Sequence, residues 1–153
     1  MFENIINALL LIFTFKGMVY LLVGGVIGLT IGVLPGLGPV FAVALFLPFT
    51  FWMEPSLGLI FLGSLYACCV YGGSITAVLI GIPGTTGSIT TVFDGYQLSK
   101  QGKAGFALGL SVTASFIGGI MGVIALALFA PLLAKFALKF APADYFALAL
   151  LGL

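Results

Sequence analysis

The charged residues of this chain stand only between long apolar runs or at its amino end. The chain has 153 residues with five basic and four acidic side chains, so 6% of it is charged and 62% is hydrophobic. A water-soluble domain carries about 25% charged residues. Apolar runs of about 20 residues are long enough to cross a bilayer as helices. The pattern therefore predicts an all-α integral membrane protein.

Three of the apolar runs are long enough to span a membrane. They cover residues 17–34, 56–82 and 106–134, and a shorter apolar piece at 40–52 is too short to cross alone. The segment 88–105 between the second and third runs is the most polar part of the chain. We expect it to lie in water or among the lipid headgroups.

The two ends of the chain differ from the spanning runs. In residues 1–16 the apolar side chains recur at helical spacing, which predicts an amphipathic helix lying in the membrane interface. The alternative is a first spanning helix that continues past Lys16. Residues 17–153 form the transmembrane region. Its last apolar run, 145–153, is too short to cross, so we expect the chain to be a fragment or to be completed by a partner.

Glycines in the spanning runs are placed for close helix packing. Gly24, Gly28 and Gly32 recur every four residues and therefore share one face of the first spanning helix. Small residues at this spacing let membrane helices approach closely. Two pairs with the same spacing stand in the third run: Gly105 with Gly109, and Gly118 with Gly122.

Two clusters of glycine, proline and hydroxyl side chains interrupt the apolar runs. The first is PGLGP at 35–39, through which a regular helix cannot continue. The second lies within 71–88, where we expect a break at YGGS (71–74) and an end at IPGTTGS (82–88). In hydrocarbon, broken helices are tolerated only where protein or a polar cavity surrounds them. The fold class is thus a multi-span helical bundle with broken or re-entrant helices.

Paired breaks at membrane depth are typical of secondary transporters. A helix start presents unpaired N–H groups and partial positive charge, and a helix end presents carbonyls. The alternative is structural, because glycine and proline are common in membrane helices and hydroxyls often bond their own helix. We predict that substrate or ion binds at the breaks, through Gly36, Gly38 and Pro39 in the first and through Gly73, Ser74, Thr76, Pro83, Gly84, Thr85 and Thr86 in the second.

Composition argues against several other function classes. The chain has no histidine, so the usual base or metal ligand of an intramembrane protease is missing. The adjacent Cys68 and Cys69 cannot frame a four-ligand metal site, and a net charge of +1 gives no case for nucleic acid. We expect no enzymatic activity and no cofactor. An accessory membrane subunit without its own transport site, or a channel, stays an alternative.

Three long stretches resemble one known family. They are GLTIGVLPGLGPVFAVALFLP at 28–48, YGGSITAVLIGIPGTTGSITTVFDGYQLSKQGKAGFALG at 71–109 and SFIGGIMGV at 115–123. All three are similar to the large membrane subunit of tripartite tricarboxylate transporters, the TctA family. The resemblance covers essentially the whole chain and corresponds to the amino-terminal portion of that subunit.

The resemblance implies a multi-pass carrier of the bacterial inner membrane that imports tricarboxylates or related carboxylates. Import is expected to be driven by a Na⁺ gradient without ATP. Two partners are implied, a small membrane subunit (TctB-like) and a periplasmic solute-binding protein (TctC-like). Members of the family are built from repeated halves, so the chain is expected to supply one half of an inverted-repeat transporter and part of its binding site.

Overall fold

The structure is a computed structural model that describes residues 2–137, 144 and 150. In this part of the chain every regular element is helical. A 3₁₀ turn at Thr86–Ser88 and a π-helical turn at Val92–Tyr96 flank the shortest α-helix. The α-helices are α1 (Phe2–Ile12), α2 (Phe15–Gly32), α3 (Gly38–Thr50), α4 (Pro55–Ile80), α5 (Ile89–Thr91), α6 (Gln97–Lys100) and α7 (Ala104–Ala137).

Among the described residues, three helices have the length and composition of membrane spans. They are α2, α4 and the part of α7 from Ala104 to Ala130. The prediction of an all-α membrane protein is confirmed, and each observed helix begins and ends within a few residues of the predicted run. The chain divides into two compact units, Met1–Val112 and Thr113–Leu153. The first unit holds α1 to α6 and the beginning of α7.

A capped turn separates α1 from α2. The Thr14 hydroxyl accepts a hydrogen bond from the Gly17 N–H at 3.1 Å and donates to the Leu11 carbonyl. It thereby satisfies one of the N–H groups that the start of a helix leaves unpaired. The amino end is therefore a separate helix rather than the first part of one that continues past Lys16. Its position in the membrane interface stays a prediction.

Helices α2 and α4 pack against each other in parallel through the glycine face of α2. A Cβ built on Gly28 would collide with the backbone of Leu65, and one on Gly32 would collide with that of Cys69. Because both partners advance by four residues along their chains, the two helices run in the same direction. The packing role predicted for Gly24, Gly28 and Gly32 is confirmed, and all three are buried.

The short helix α3 returns antiparallel to α4 and closes the core. Near its end, Thr50 lies against Gly58, and one turn earlier Phe46 makes an edge-on ring contact with Phe61 at 6.0 Å between centroids. Helix α3 follows the predicted break at PGLGP, which the structure confirms as a turn between Val33 and Leu37. The buried cluster between the helices comprises Ala42, Phe61, Leu65 and Cys69.

After α4 the chain folds back along the same helix as a hairpin, residues 81–100. Helix α4 ends at Ile80 and is capped by Gly81, whose φ of 72° is left-handed and favours glycine. The chain then extends back until Gly84 lies beside Gly73, where its N–H donates to the Gly73 carbonyl at 3.3 Å. Residues 82–88 were predicted to close the second run, and they form the tip of this hairpin.

The second arm of the hairpin returns from its tip as a helical segment, Thr86–Lys100. Gly95 lies against Val78, and further on the Tyr96 ring lies against Gly81. The ammonium group of Lys100 stands 4.5 Å from the centroid of the Tyr96 ring. Ser88 was predicted to lie both at the end of the second break and at the start of a water-facing segment. The water-facing prediction is wrong, because the residue is buried at the tip with 1% exposure.

The break predicted at YGGS is also wrong. Helix α4 runs without interruption from Pro55 to Ile80. Gly72 and Gly73 serve packing instead, because a Cβ on Gly72 would lie 2.9 Å from the Gly32 Cα and one on Gly73 would lie 2.6 Å from the Thr85 Cγ2. Gly73, Ser74 and Thr76 therefore sit inside a helix and not at the end of one.

Within the second unit the structure describes the continuation of α7 as far as Ala137, together with residues 144 and 150. The helix includes Lys135, where a polar break was predicted to begin, and the predicted break beyond Ala137 lies outside the described residues apart from Asp144. Helix α7 contains Gly118 and Gly122, and no described residue lies within 4 Å of a Cβ built on either glycine. Their predicted packing role stays a prediction. The apolar run predicted at 145–153 lies outside the described residues apart from Leu150.

Candidate functional site

The two breaks meet at one cavity of about 420 Å³. Helix α3 begins on one side of it, the hairpin tip forms another side, and α4 contributes a third. Of the described residues that line it, none carries a charge. A larger cleft of about 510 Å³ lies between α1 and the start of α4, but it contains neither break. The cavity is lined by Gly36, Gly38, Pro39, Val40, Tyr66, Pro83, Gly84, Thr85, Thr86 and Ile89.

The first side of the cavity is the start of α3. Gly36 and Gly38 have φ angles of 94° and 59°, which a residue with a Cβ adopts only under strain. Apart from the chain neighbours, no atom of the described residues lies within 4 Å of a Cβ built on either glycine, so glycine is required here for its conformation rather than for space. The following Pro39 occupies the first turn, where a missing N–H costs least. The sequence thus turns sharply and starts a helix at the cavity wall.

The second side is the hairpin tip, which Thr85 and Ser88 lock by mutual hydrogen bonds. The Thr85 N–H donates to the Ser88 hydroxyl oxygen at 3.1 Å, and that hydroxyl donates to the Thr85 carbonyl at 2.8 Å. The Ser88 N–H also donates to the same carbonyl at 3.1 Å. Both side chains are buried. The tip therefore begins its helical arm in one fixed geometry.

The hydroxyl hydrogens around the tip are already committed to partners within the chain. The Ser88 hydroxyl donates to a carbonyl, so the hydrogen between it and the Thr85 hydroxyl, 3.1 Å away, comes from Thr85. The Thr76 hydroxyl donates to the Gly73 carbonyl at 3.1 Å. A hydroxyl has one hydrogen and two lone pairs. The Thr76 and Thr85 hydroxyls consequently offer only lone pairs to a ligand, whereas both lone pairs of the Ser88 oxygen already accept hydrogen bonds from Thr85.

Glycine contacts hold the tip against the helices behind it. A Cβ built on Gly84 would lie 2.6 Å from the Gly32 carbonyl oxygen, 2.6 Å from the Gly73 Cα and 2.8 Å from the Thr76 Oγ1. Three backbones, the end of α2, the middle of α4 and the hairpin tip, thus approach at one point. No side chain larger than hydrogen fits at Gly84.

Most of the residues predicted around the breaks come together in this cavity. Gly73 and Thr76 stand behind the tip and contact it rather than line the cavity. Ser74 is buried with 8% exposure and does not line it. The predicted residues that do line it are Gly36, Gly38, Pro39, Pro83, Gly84, Thr85 and Thr86.

Sequence reasoning missed three lining residues, Val40, Tyr66 and Ile89. The signal for Tyr66 was present, because it stands seven residues before Gly73 and two helical turns place both on one face of α4. Val40 lies just after the start of α3, and Ile89 lies just after the start of the hairpin's helical arm. Nothing in the sequence marked either residue as part of a binding site.

The geometry suits ligands of both signs. Two helical segments point their N-terminal ends at one cavity, and the first N–H groups of a helix have no partner within it. Each helix start also carries partial positive charge from the aligned peptide dipoles. The committed hydroxyl oxygens of Thr76 and Thr85 provide electron pairs instead. The cavity can therefore hold an anion at the helix starts and a hard cation at the oxygen atoms.

Comparison with known proteins identifies the family. The profile of the Tripartite tricarboxylate transporter TctA family matches residues 18–153. An uncharacterized 52.8 kDa protein in the TAR-I ttuC' 3' region of Agrobacterium vitis is 46% identical over 135 residues, which cover 88% of this chain and 27% of the relative. The chain thus spans about a quarter of the length of that relative. No solved structure matches the chain. With its apolar spans and its helix breaks, the chain belongs to the tripartite tricarboxylate transporter TctA family.

Proposed function

We propose that the chain is the amino-terminal part of the large membrane subunit of a secondary transporter that imports tricarboxylates or related carboxylates. The single observation that supports this most is the meeting of two helix starts at one uncharged cavity. The proposal places the protein in the bacterial inner membrane as part of one half of an inverted-repeat carrier, because the chain spans about a quarter of its relative. The function is transport and not catalysis.

The carboxylate is proposed to bind at the starts of α3 and of the hairpin's helical arm. Helix starts bind carboxylates because their N–H groups and partial charges are both directed at the ligand. In broken-helix transporters the substrate carboxylate is held in the same way. No lysine or arginine lines the described cavity, so backbone groups are proposed to replace the basic side chains that soluble carboxylate-binding proteins use.

The coupling ion is proposed to be Na⁺, bound near the hairpin tip. The hydroxyls of Thr76 and Thr85 have committed their hydrogens and still present lone pairs, which favours a cation over an anion. Proton coupling through a membrane span usually needs an acidic or histidine side chain. The described lining of the cavity has none.

The partners are proposed to be a small membrane subunit and a periplasmic solute-binding protein. The family's description as tripartite implies that other subunits take part. The binding protein would deliver the carboxylate to the periplasmic side of the cavity. Neither nucleic acid nor a cofactor enters this proposal.

The test is uptake of labelled citrate into proteoliposomes that contain the complete carrier and its partner subunits. Uptake that requires an inward Na⁺ gradient is the expected result. If citrate is inactive, a panel of di- and tricarboxylates is tested in the same vesicles. Uptake of none of them would overturn the transport proposal, and uptake that follows a pH gradient without Na⁺ would overturn the coupling ion alone.

A further inference from the structure

Tyr66 stands where a substrate between the two helix starts would meet α4. It lines the cavity together with the first residues of α3 and the hairpin tip, and half of its surface is exposed. Its neighbour Leu65 is fully buried against α2. Tyr66 therefore lies on the side of α4 that turns away from α2 and towards the open space.

The phenol is one of very few uncommitted donors at the cavity. Among the described lining residues, only Tyr66, Thr85 and Thr86 carry a side-chain O–H group. Thr85 has given its hydrogen to Ser88. No hydrogen bond within the described part of the chain involves the Tyr66 hydroxyl. A phenol that lines a cavity and lacks a protein partner is free to donate to a ligand.

Backbone groups and a side chain contribute differently to substrate choice. N–H groups at a helix start bind any carboxylate of suitable size, so the starts of α3 and of the hairpin arm give affinity without much selection. A side-chain donor directed from a third element is different, because it favours substrates that present an oxygen atom at one position. Sites built to bond a substrate oxygen discriminate strongly against analogues that lack it.

We propose that the Tyr66 hydroxyl donates a hydrogen bond to an oxygen of the bound carboxylate and thereby determines which carboxylates the cavity accepts. This inference rests on the proposed transport function. It makes Tyr66 a specificity-determining residue, with the helix starts holding one carboxylate group and the phenol selecting for a further oxygen on the same molecule.

The experiment uses Tyr66→Phe, which keeps the ring and removes only the hydroxyl. Tyr20→Phe is the matched control, because Tyr20 is a residue of α2 that packs against the buried cluster and does not line the cavity. Both variants are made in the complete carrier with its partner subunits and reconstituted into proteoliposomes. Uptake of citrate gives KM, and competition by succinate, which lacks one carboxymethyl group and the hydroxyl, gives the selectivity ratio.

The expected result is that Tyr66→Phe raises the KM for citrate about tenfold or more and reduces the preference for citrate over succinate by a similar factor, because a hydrogen bond to a charged group is lost. The thermal midpoint in detergent and the properties of Tyr20→Phe should stay unchanged. If the unmodified carrier transports citrate and Tyr66→Phe keeps both KM and selectivity, the role of Tyr66 is overturned while the transport function stands. If the unmodified carrier transports no carboxylate, both are overturned.

Discussion

The backbone N–H of Gly84 lies 3.3 Å from the carbonyl oxygen of Gly73, and this hydrogen bond ties the hairpin tip to the middle of α4. The same carbonyl also accepts the hydroxyl of Thr76 at 3.1 Å. Because both linked residues are glycines, the two backbones meet without an intervening side chain. The position of the tip, and hence the shape of the cavity, depends on this contact.

Replacing Gly84 with alanine should therefore displace the tip. The new methyl group would lie 2.6 Å from the Gly73 Cα and from the Gly32 carbonyl oxygen, and neither backbone can move aside cheaply. We expect loss of most carboxylate uptake while the protein still inserts in the membrane. Gly87→Ala is the control, because Gly87 is nearby and a Cβ built on it has no atom of the described residues within 4 Å, its chain neighbours apart. Equal uptake by the two variants would contradict the role of the contact.

Gly28→Ala should destabilise the α2–α4 pair. A Cβ at this position would collide with the Leu65 backbone, and overpacking of this kind costs about 1–3 kcal/mol or more. The expected outcome is a lower thermal midpoint in detergent and a lower yield of folded protein. Gly25→Ala on the adjacent face brings its Cβ to 3.4 Å from the Cys68 Sγ, an ordinary contact. Gly25→Ala should have the same stability as the unmodified protein. If Gly25→Ala and Gly28→Ala lose stability equally, helix packing is excluded as the cause.

Ser88→Ala should loosen the hairpin tip. The change leaves the buried Thr85 N–H without the acceptor it now has at 3.1 Å, and an unpaired buried donor costs about 1–3 kcal/mol. We expect a lower thermal midpoint and weaker activation of uptake by Na⁺. Thr90→Ala serves for comparison, since Thr90 is exposed two residues further along the same arm. An unchanged midpoint for Ser88→Ala would show that the tip does not depend on these bonds.

Gly38→Ala should strain the start of α3 without any steric collision. The residue has a φ of 59° and open space around its built Cβ, so the penalty is conformational, about 1–2 kcal/mol. We expect a measurable loss of stability together with reduced substrate affinity. Gly63→Ala in α4 also has open space but regular helical geometry, and alanine there should be neutral or stabilising by about 0.5–1 kcal/mol. If Gly38→Ala and Gly63→Ala change the thermal midpoint by the same amount, the conformational explanation is contradicted.

The sequence was sufficient for features that depend on local chemistry. The apolar runs gave the spans, because helix length and hydrophobicity are local properties. PGLGP gave the first break, because proline and glycine act on the backbone where they stand. The glycine spacing in α2 likewise predicted a packing face, although not that α4 would lie on it in parallel.

Features that depend on distant neighbours were not predictable. A glycine can either break a helix or allow close packing. Gly72 and Gly73 allow close packing, and this depends on the approach of α2 to Gly72 and of Thr85 to Gly73. The fold-back of the hairpin buries Ser88, which reads as part of a polar segment when taken alone. Tyr66 shares one face of α4 with Gly73, but only the placement of α3 and the tip beside that face makes it a cavity residue.

The depth of the cavity along α4 has an electrical consequence. Helix α4 has 26 residues, from Pro55 to Ile80, and Tyr66 stands close to the middle of that length. If α4 crosses near the membrane normal, a ligand beside Tyr66 has traversed about half of the transmembrane voltage. One elementary charge moved across the whole membrane is worth about 2.3 kcal/mol per 100 mV, so each unbalanced charge at this depth gains or loses about half of that. Occupancy of the cavity by a carboxylate whose charge is not fully neutralised would then vary with the membrane potential of the cell.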